Sequence, residues 1–215
     1  MKNKIPQTKM KHVPSDETVR ERLLTCATKL FTRKGYTGTT VREIVAAAKV
    51  TKPVLYYYFR NKEGIYLDLI RGTVGKFDAL LDASRNQRGS ATERLLHLSD
   101  QVFSLFMEYI EVARLMYSIY YGPPQGAPFF DFDTYHIKLH DAIRRLVKEG
   151  IRKGEFHKGN ADNMMWAILG PINVAIEVRL CHPEMEIERK GLAGILKLIF
   201  QGISSQRARQ EEKRK

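Results

Sequence analysis

Residues 40–62, TVREIVAAAKVTKPVLYYYFRNK, constrain the chain most, because they hold two capped helical signals with room between them only for a tight turn. Thr40 followed three residues later by Glu43 is a capping box, in which each side chain satisfies a backbone N–H of the other. Val41, Ile44, Val45 and Ala48 then fall at the spacing that makes one apolar helix face. The pattern breaks at Lys49 and Val50. Thr51 offers a second cap, and Pro53 lies in the first turn, where its missing N–H matters least. The spacing predicts a two-turn helix over 51–58, with Leu55, Tyr58 and Phe59 packed on Ile44 and Val45. Lys52, Val54, Tyr56 and Tyr57 are left facing outward.

Three consecutive tyrosines suit a core or an interface equally well. Charge separates the two. Residues 1–62 hold fourteen Lys and Arg against four Asp and Glu, whereas residues 63–205 hold seventeen against eighteen. The formal net charge of +12 is therefore concentrated around the helix pair, with a smaller excess in the last ten residues. A cationic surface beside two helices and a turn is the electrostatic footprint of phosphate docking.

With those residues in view, the chain resembles the TetR family of ligand-responsive, DNA-binding transcriptional regulators. The resemblance rests on Ala27, Leu30, Phe31, Gly35 and Tyr36, which match A-x-x-L-F-x-x-x-G-[YF]. It continues through residues 39–46, which match T-[TS]-V-x-x-I-A with Val45 in place of Ile, and through 51–63, which match [ST]-K-x-x-L-Y-x-Y-F-x-x-K-E. About the first third of the chain is covered. The resemblance implies that Thr40 holds a phosphate at a helix N-terminus, where the helix dipole also favours an anion. It implies that Thr51, Lys52, Pro53 and Val54 enter the major groove, with apolar contact to thymine methyls, and that Tyr56, Tyr57 and Lys62 grip the flanking backbone.

Residues 1–14 carry four lysines without amphipathic period. They read either as a solubilising tail or as a basic arm along phosphates. Ser15 can cap a first helix whose face is Val19, Leu23, Ala27, Leu30 and Phe31, ended by Gly35. From Lys62 a longer helix runs through Ile65, Ile70, Val74, Phe77 and Leu81 and belongs to both halves. Gly72 and Gly75 within it mark either flexibility or close packing. Polar residues 85–90 read as a loop.

Further helices are expected at about 91–109, 111–121, 132–153, 160–181 and 187–204, with no alternating strand pattern between them. The fold class is all-α. A basic arm (1–14) precedes an N-terminal three-helix DNA-binding domain with a helix-turn-helix (15–62, motif 41–60). A larger C-terminal helical effector-binding and dimerisation domain (63–205) and a charged tail (206–215) follow. Residues 118–132, SIYYGPPQGAPFFDF, break the helical run with Gly and Pro between aromatics. Those aromatics either anchor a loop or line a pocket for a planar or greasy effector, with Phe103, Met107, Tyr117, Tyr120, Tyr121, Phe129, Met165 and Trp166 as its candidate contacts and Phe106 and Met116 beside them. His136 and His140 next to Asp141 lack a third metal ligand at a recognisable spacing, so no metal is assigned. On the last two helices, Met164, Ile168, Leu169, Ile172, Ala175, Ile176 and Val178 with Ile187, Leu192, Ile195, Leu196, Ile199 and Ile203 are the expected dimer seam, and Gly170-Pro171 an expected kink.

No phosphate-binding Gly loop, His-Glu-x-x-His, nucleophile elbow or spaced Cys set is present, so no enzyme activity and no cofactor are assigned. No run of some eighteen apolar residues and no cleavable leader stand out. Cys26 and Cys181 read as buried free thiols, and the chain is expected in the cytoplasm. The expected partners are a double-stranded DNA operator, a small-molecule effector and a second copy of the chain, with no membrane. A homodimeric repressor released from a palindromic operator by a small hydrophobic or aromatic ligand accounts for both halves. A nonspecific architectural DNA binder accounts only for the charge.

Overall fold

The structure is a computed structural model that describes residues 18–122, 126–182, 184–185 and 187–205. The basic arm, Ser15, Pro123, Pro124 and the charged tail lie outside the described residues. The helices are α1 (Val19–Lys34), α2 (Val41–Ala47), α3 (Lys52–Phe59), α4 (Lys62–Arg85), α5 (Ala91–Glu108), α6 (Ile110–Tyr120), α7 (Asp133–Lys153), α8 (Ala161–Cys181) and α9 (Arg189–Ile203). Among the described residues the only β pairing is an isolated bridge between Phe156 and Ser204.

Local chemistry sets most of the boundaries. Thr18 caps α1 in a capping box with Glu21, so the cap lies three residues after Ser15, the expected one. Gly35 ends it at φ 73°, a backbone region that favours glycine. Thr40 and Glu43 close a second capping box on α2, and Ser90 and Glu93 a third on α5. Gly64 permits the tight approach of α4 to the end of α3, since a Cβ there would stand 1.9 Å from the Phe59 carbonyl oxygen. At Gly72 and Gly75 a Cβ would meet nothing within 4 Å, which removes close packing as their reason.

Two apolar cores share α4. One unites Leu23, Ala27, Phe31, Ile44, Leu55, Phe59, Ile65 and Ile70 and reaches Val112 and Leu115 of α6 and Phe132. The other runs from Phe77 and Leu81 through α5, α7, α8 and α9. One long helix thus carries the small N-terminal bundle on its first half and the larger bundle on its second.

Three expectations change here. Helix α8 is, by length and composition, long and apolar enough to cross a membrane, although Asp162, Glu177 and Arg179 interrupt it. Its apolarity has a local cause: Met165, Ile168, Leu169, Ile172 and Ile176 are buried in the larger core, and the helix continues through Pro171 without interruption. The residues expected at the dimer seam are mostly that same core, since Met164, Ala175, Leu192 and Leu196 are also buried within the one chain. What α8 and α9 leave exposed is Trp166, Val174, Ile195 and Leu198, of which Ile195 belongs to the expected seam and the other three do not. Cys181 is exposed and Cys26 half-buried; both are free thiols.

Candidate nucleic-acid interface and effector cavity

Helix α3 is held from behind. Leu55 is fully buried and Phe59 nearly so, and they set the helix against α2 and α4. The Arg22 Nε of α1 donates to the Ala48 carbonyl at 3.0 Å and ties down the turn between α2 and α3. Arg20 pairs with Asp68 and lies over the Phe59 ring, 5.5 Å from its centroid. With its back fixed, α3 turns Thr51, Lys52, Pro53, Tyr56 and Tyr57 to solvent, Val54 half-buried beside them. Tyr57 is 82% exposed and Tyr56 46%. Tyr58, expected inside, is 41% exposed and stacks edge-on against Tyr57. In an eight-residue helix the two anchors Leu55 and Phe59, one turn apart, already fill the inner stripe.

The Thr51 side chain makes no capping hydrogen bond, so its hydroxyl stays at the open front of the helix. Thr40 differs. Its hydroxyl accepts from the Glu43 N–H at 3.2 Å and donates to the Glu43 carboxylate at 2.9 Å. A hydrogen bond from Lys34, then those from the backbone and hydroxyl of Thr40, hold the Glu43 carboxyl down to about 2. The N-terminus of α2 therefore already carries an anion in the free protein.

Lys62 is tied within its own chain. Its ammonium donates to the carbonyls of Tyr36 and Thr39 at 2.9 and 3.0 Å and sits 4.2 Å from the centre of the Tyr36 ring. It fastens α4 to the turn between α1 and α2. Beneath it, Phe31, Tyr36 and Tyr66 form a triangle of rings, and burial pushes the Tyr66 hydroxyl up to about 12.

In the larger bundle a cavity of ≈ 90 Å³ opens among α4 to α8. Phe77, Phe106, Met116, Tyr117 and Tyr135 supply an aromatic and thioether wall, and Thr73, His136 and Asn173 supply polar points. Tyr117 is the one of the eight candidate contacts that lines it. Burial, then the neighbouring Tyr121, Glu177 and Cys181, push its hydroxyl up to about 12, so it remains a proton donor at neutral pH. Phe103 and Met107 line a separate surface groove with Ile110 and Arg114. Met165 is wholly inside the core, and Trp166 is half-exposed with its ring against His140. Tyr120, Tyr121 and Phe129 are on the surface, the Tyr120 hydroxyl donating to Asp133 at 2.6 Å. Thr73, Tyr109, Tyr135 and Asn173 were not singled out from the sequence; they become a wall only once α4, α6, α7 and α8 are assembled. Among the described residues no group of three His, Cys, Asp or Glu side chains can hold a metal.

A fixed two-helix element with a cationic, tyrosine-rich outer face, mounted on a helical bundle that holds a cavity, defines a helix-turn-helix DNA-binding regulator. Residues 23–69 match the family described as bacterial regulatory proteins, tetR family. The chain is similar to a probable HTH-type transcriptional regulator, YttP of Bacillus subtilis, at 29% identity over 46% of this chain and 49% of that protein. It therefore spans about half the length of that relative. It is also similar to the HTH-type transcriptional regulator QacR of Staphylococcus aureus, at 26% identity over 64% of this chain and 73% of the other. Its fold is that of the ketosteroid transcriptional regulator KstR2 of Mycobacterium tuberculosis, with TM-score 0.69 and 20% identity over 88% of this chain and 96% of that one. The family consists of DNA-binding regulators rather than enzymes.

Proposed function

We propose that this chain is a homodimeric repressor that binds a palindromic operator and is released by a small hydrophobic or aromatic ligand. The reading is carried by the outer face of α3, where a lysine and two tyrosines stand free of a helix whose other side is locked into the core. Thr51, Lys52, Pro53 and Val54 enter the major groove, and Tyr56 and Tyr57 reach the flanking phosphates. Lys62 is left out of this contact set because its ammonium is engaged at home. Residues 15–62 act as the reading head, and the remainder through residue 205 as the effector and dimerisation unit, in the cytoplasm.

The dimer forms through Trp166, Val174, Ile195 and Leu198, with Gly170, Gly194 and Gly202 letting helices approach, since a Cβ at each would meet nothing within 4 Å. Two reading heads then match half-sites about one helical turn apart. The cavity of ≈ 90 Å³ is smaller than the roughly 300–1,000 Å³ of typical ligand sites. A ligand that fills it must favour a conformer with its walls moved apart. Val74 on α4 and Phe132 before α7 line the cavity and also belong to the core of the reading head. A ligand that selects the expanded form thereby biases the heads, which is linkage.

The test is selection of duplexes from a random pool, followed by titration of the selected duplex and a scrambled one at physiological salt. The expected result is a palindromic site bound at least about 10³-fold more tightly than the scrambled duplex. Equal affinity for both favours the architectural alternative.

A further inference from the structure

The described residues hold two non-glycine residues at positive φ, Lys49 at 53° and Arg60 at 63°. Both are cationic, both are exposed, and they bracket α3, one two residues before its cap and the other immediately after its last turn. Side chains are disfavoured in this region of backbone space by the clash of Cβ with the neighbouring carbonyl, and glycine is the residue that avoids it.

Each position is fixed by its hydrogen bonds. At Lys49 the Val50 N–H reaches the Val45 carbonyl at 3.0 Å and the Lys49 N–H reaches that of Ala46 at 3.2 Å. These are the two bonds of a Schellman motif, whose left-handed residue is commonly glycine. Val50 supplies the usual apolar contact by packing on the core of the reading head. At Arg60 the Asn61 N–H reaches the Phe59 carbonyl at 2.7 Å across a residue at φ 63°, ψ −40°. That is a γ-turn of the rare, strained hand. Neither side chain makes a hydrogen bond or ion pair among the described residues.

Glycine would relieve both turns, and nothing among the described residues uses either charge. We infer that Lys49 and Arg60 are a pair of phosphate contacts at the two ends of the recognition helix, each holding a strained backbone position for the sake of its charge. Eight helical residues rise about 12 Å, and the major groove is about 12 Å wide between its phosphate walls. Cations at the two ends of a helix seated in that groove stand beside those walls. The inference rests on the proposed DNA-binding reading and adds two residues to it.

The test uses the full chain and the selected duplex, with Lys49→Gly, Arg60→Gly, their double variant, and Lys49→Asn, which tolerates the left-handed backbone without the charge. Each contact contributes about 0.9 to the slope of log affinity against log salt, hence about 1.8 per substitution in a dimer with two heads. The expected result is a Tm equal to or above wild type for each glycine variant and a slope reduced by about 1.8, doubled in the double variant. The preference for selected over scrambled duplex should stay unchanged. Lys49→Arg should restore the slope. Glycine variants with raised Tm and an unchanged slope, while wild type binds the duplex, overturn this inference alone. A wild-type chain that binds no duplex overturns it together with the reading beneath it.

Discussion

Helices α3 and α9 both display large side chains that the other described residues do not cover, and the two faces differ in chemistry. On α3 the exposed set is Lys52, Tyr56, Tyr57 and Tyr58, aromatic surface with hydroxyl tips beside a cation. On α9, with the neighbouring face of α8, it is Ile195, Leu198, Trp166 and Val174 around open glycines. Amphipathic aromatics near positive charge suit a hydrated polyanion; branched aliphatics and glycine suit another helix at close range. Exposure alone therefore does not distinguish a nucleic-acid face from a protein face, but the polar content of what is exposed does.

The comparison breaks most sharply at Leu198. Leu198→Glu should convert the dimer to a monomer in sedimentation. Operator affinity should fall about 10²–10⁴-fold, because two heads on one dimer bind with the advantage of linked sites. Leu55→Ala tests the buried side of α3: deleting a fully buried leucine should lower stability by about 2–5 kcal/mol, read by denaturant titration. Tyr57→Ala tests its exposed side. Stability should stay within about 0.5 kcal/mol, while operator affinity drops about thirtyfold, the equivalent of two hydrogen bonds of about 1 kcal/mol each, one in each head.

The smallest effect concerns Glu43, whose carboxyl is held at about 2, below its ordinary 4.5. A depressed carboxylate contributes stability that is complete above its unfolded value and is lost as pH falls through the folded one. Glu43→Gln should thus be less stable than wild type at pH 7. The gap should shrink between about pH 4.5 and 2 and vanish below, as followed by Tm against pH.

Most of the helices were legible because their ends are written in short-range chemistry. Thr40 with Glu43, Gly35, and the polar run before Ser90 mark boundaries that neighbours do not alter. The first helix shows the limit: the box is Thr18 with Glu21, and reading Ser15 as the cap started the helix about a turn early. Periodicity identifies an apolar stripe but not what lies against it. Helix α8 is apolar on two faces, so the sequence offered its inner residues for the seam while its outer ones, Trp166 and Val174, meet solvent. The anchoring of Lys62 was not legible for a related reason, since two carbonyls of the α1–α2 turn converge on its ammonium only in the folded bundle. The cavity was the least legible feature. Its wall draws one or a few residues from each of five helices, and of the eight expected contacts it takes Tyr117.

The most direct measurement is hydroxyl-radical footprinting of the protein with and without saturating duplex. Tyr56 and Tyr57 should oxidise readily in the free protein and become protected on binding DNA. Trp166 should be shielded from the outset by the partner copy and stay indifferent to DNA. Unchanged oxidation of Tyr56 and Tyr57 in the duplex-bound protein would contradict the assignment of α3 as the reading helix.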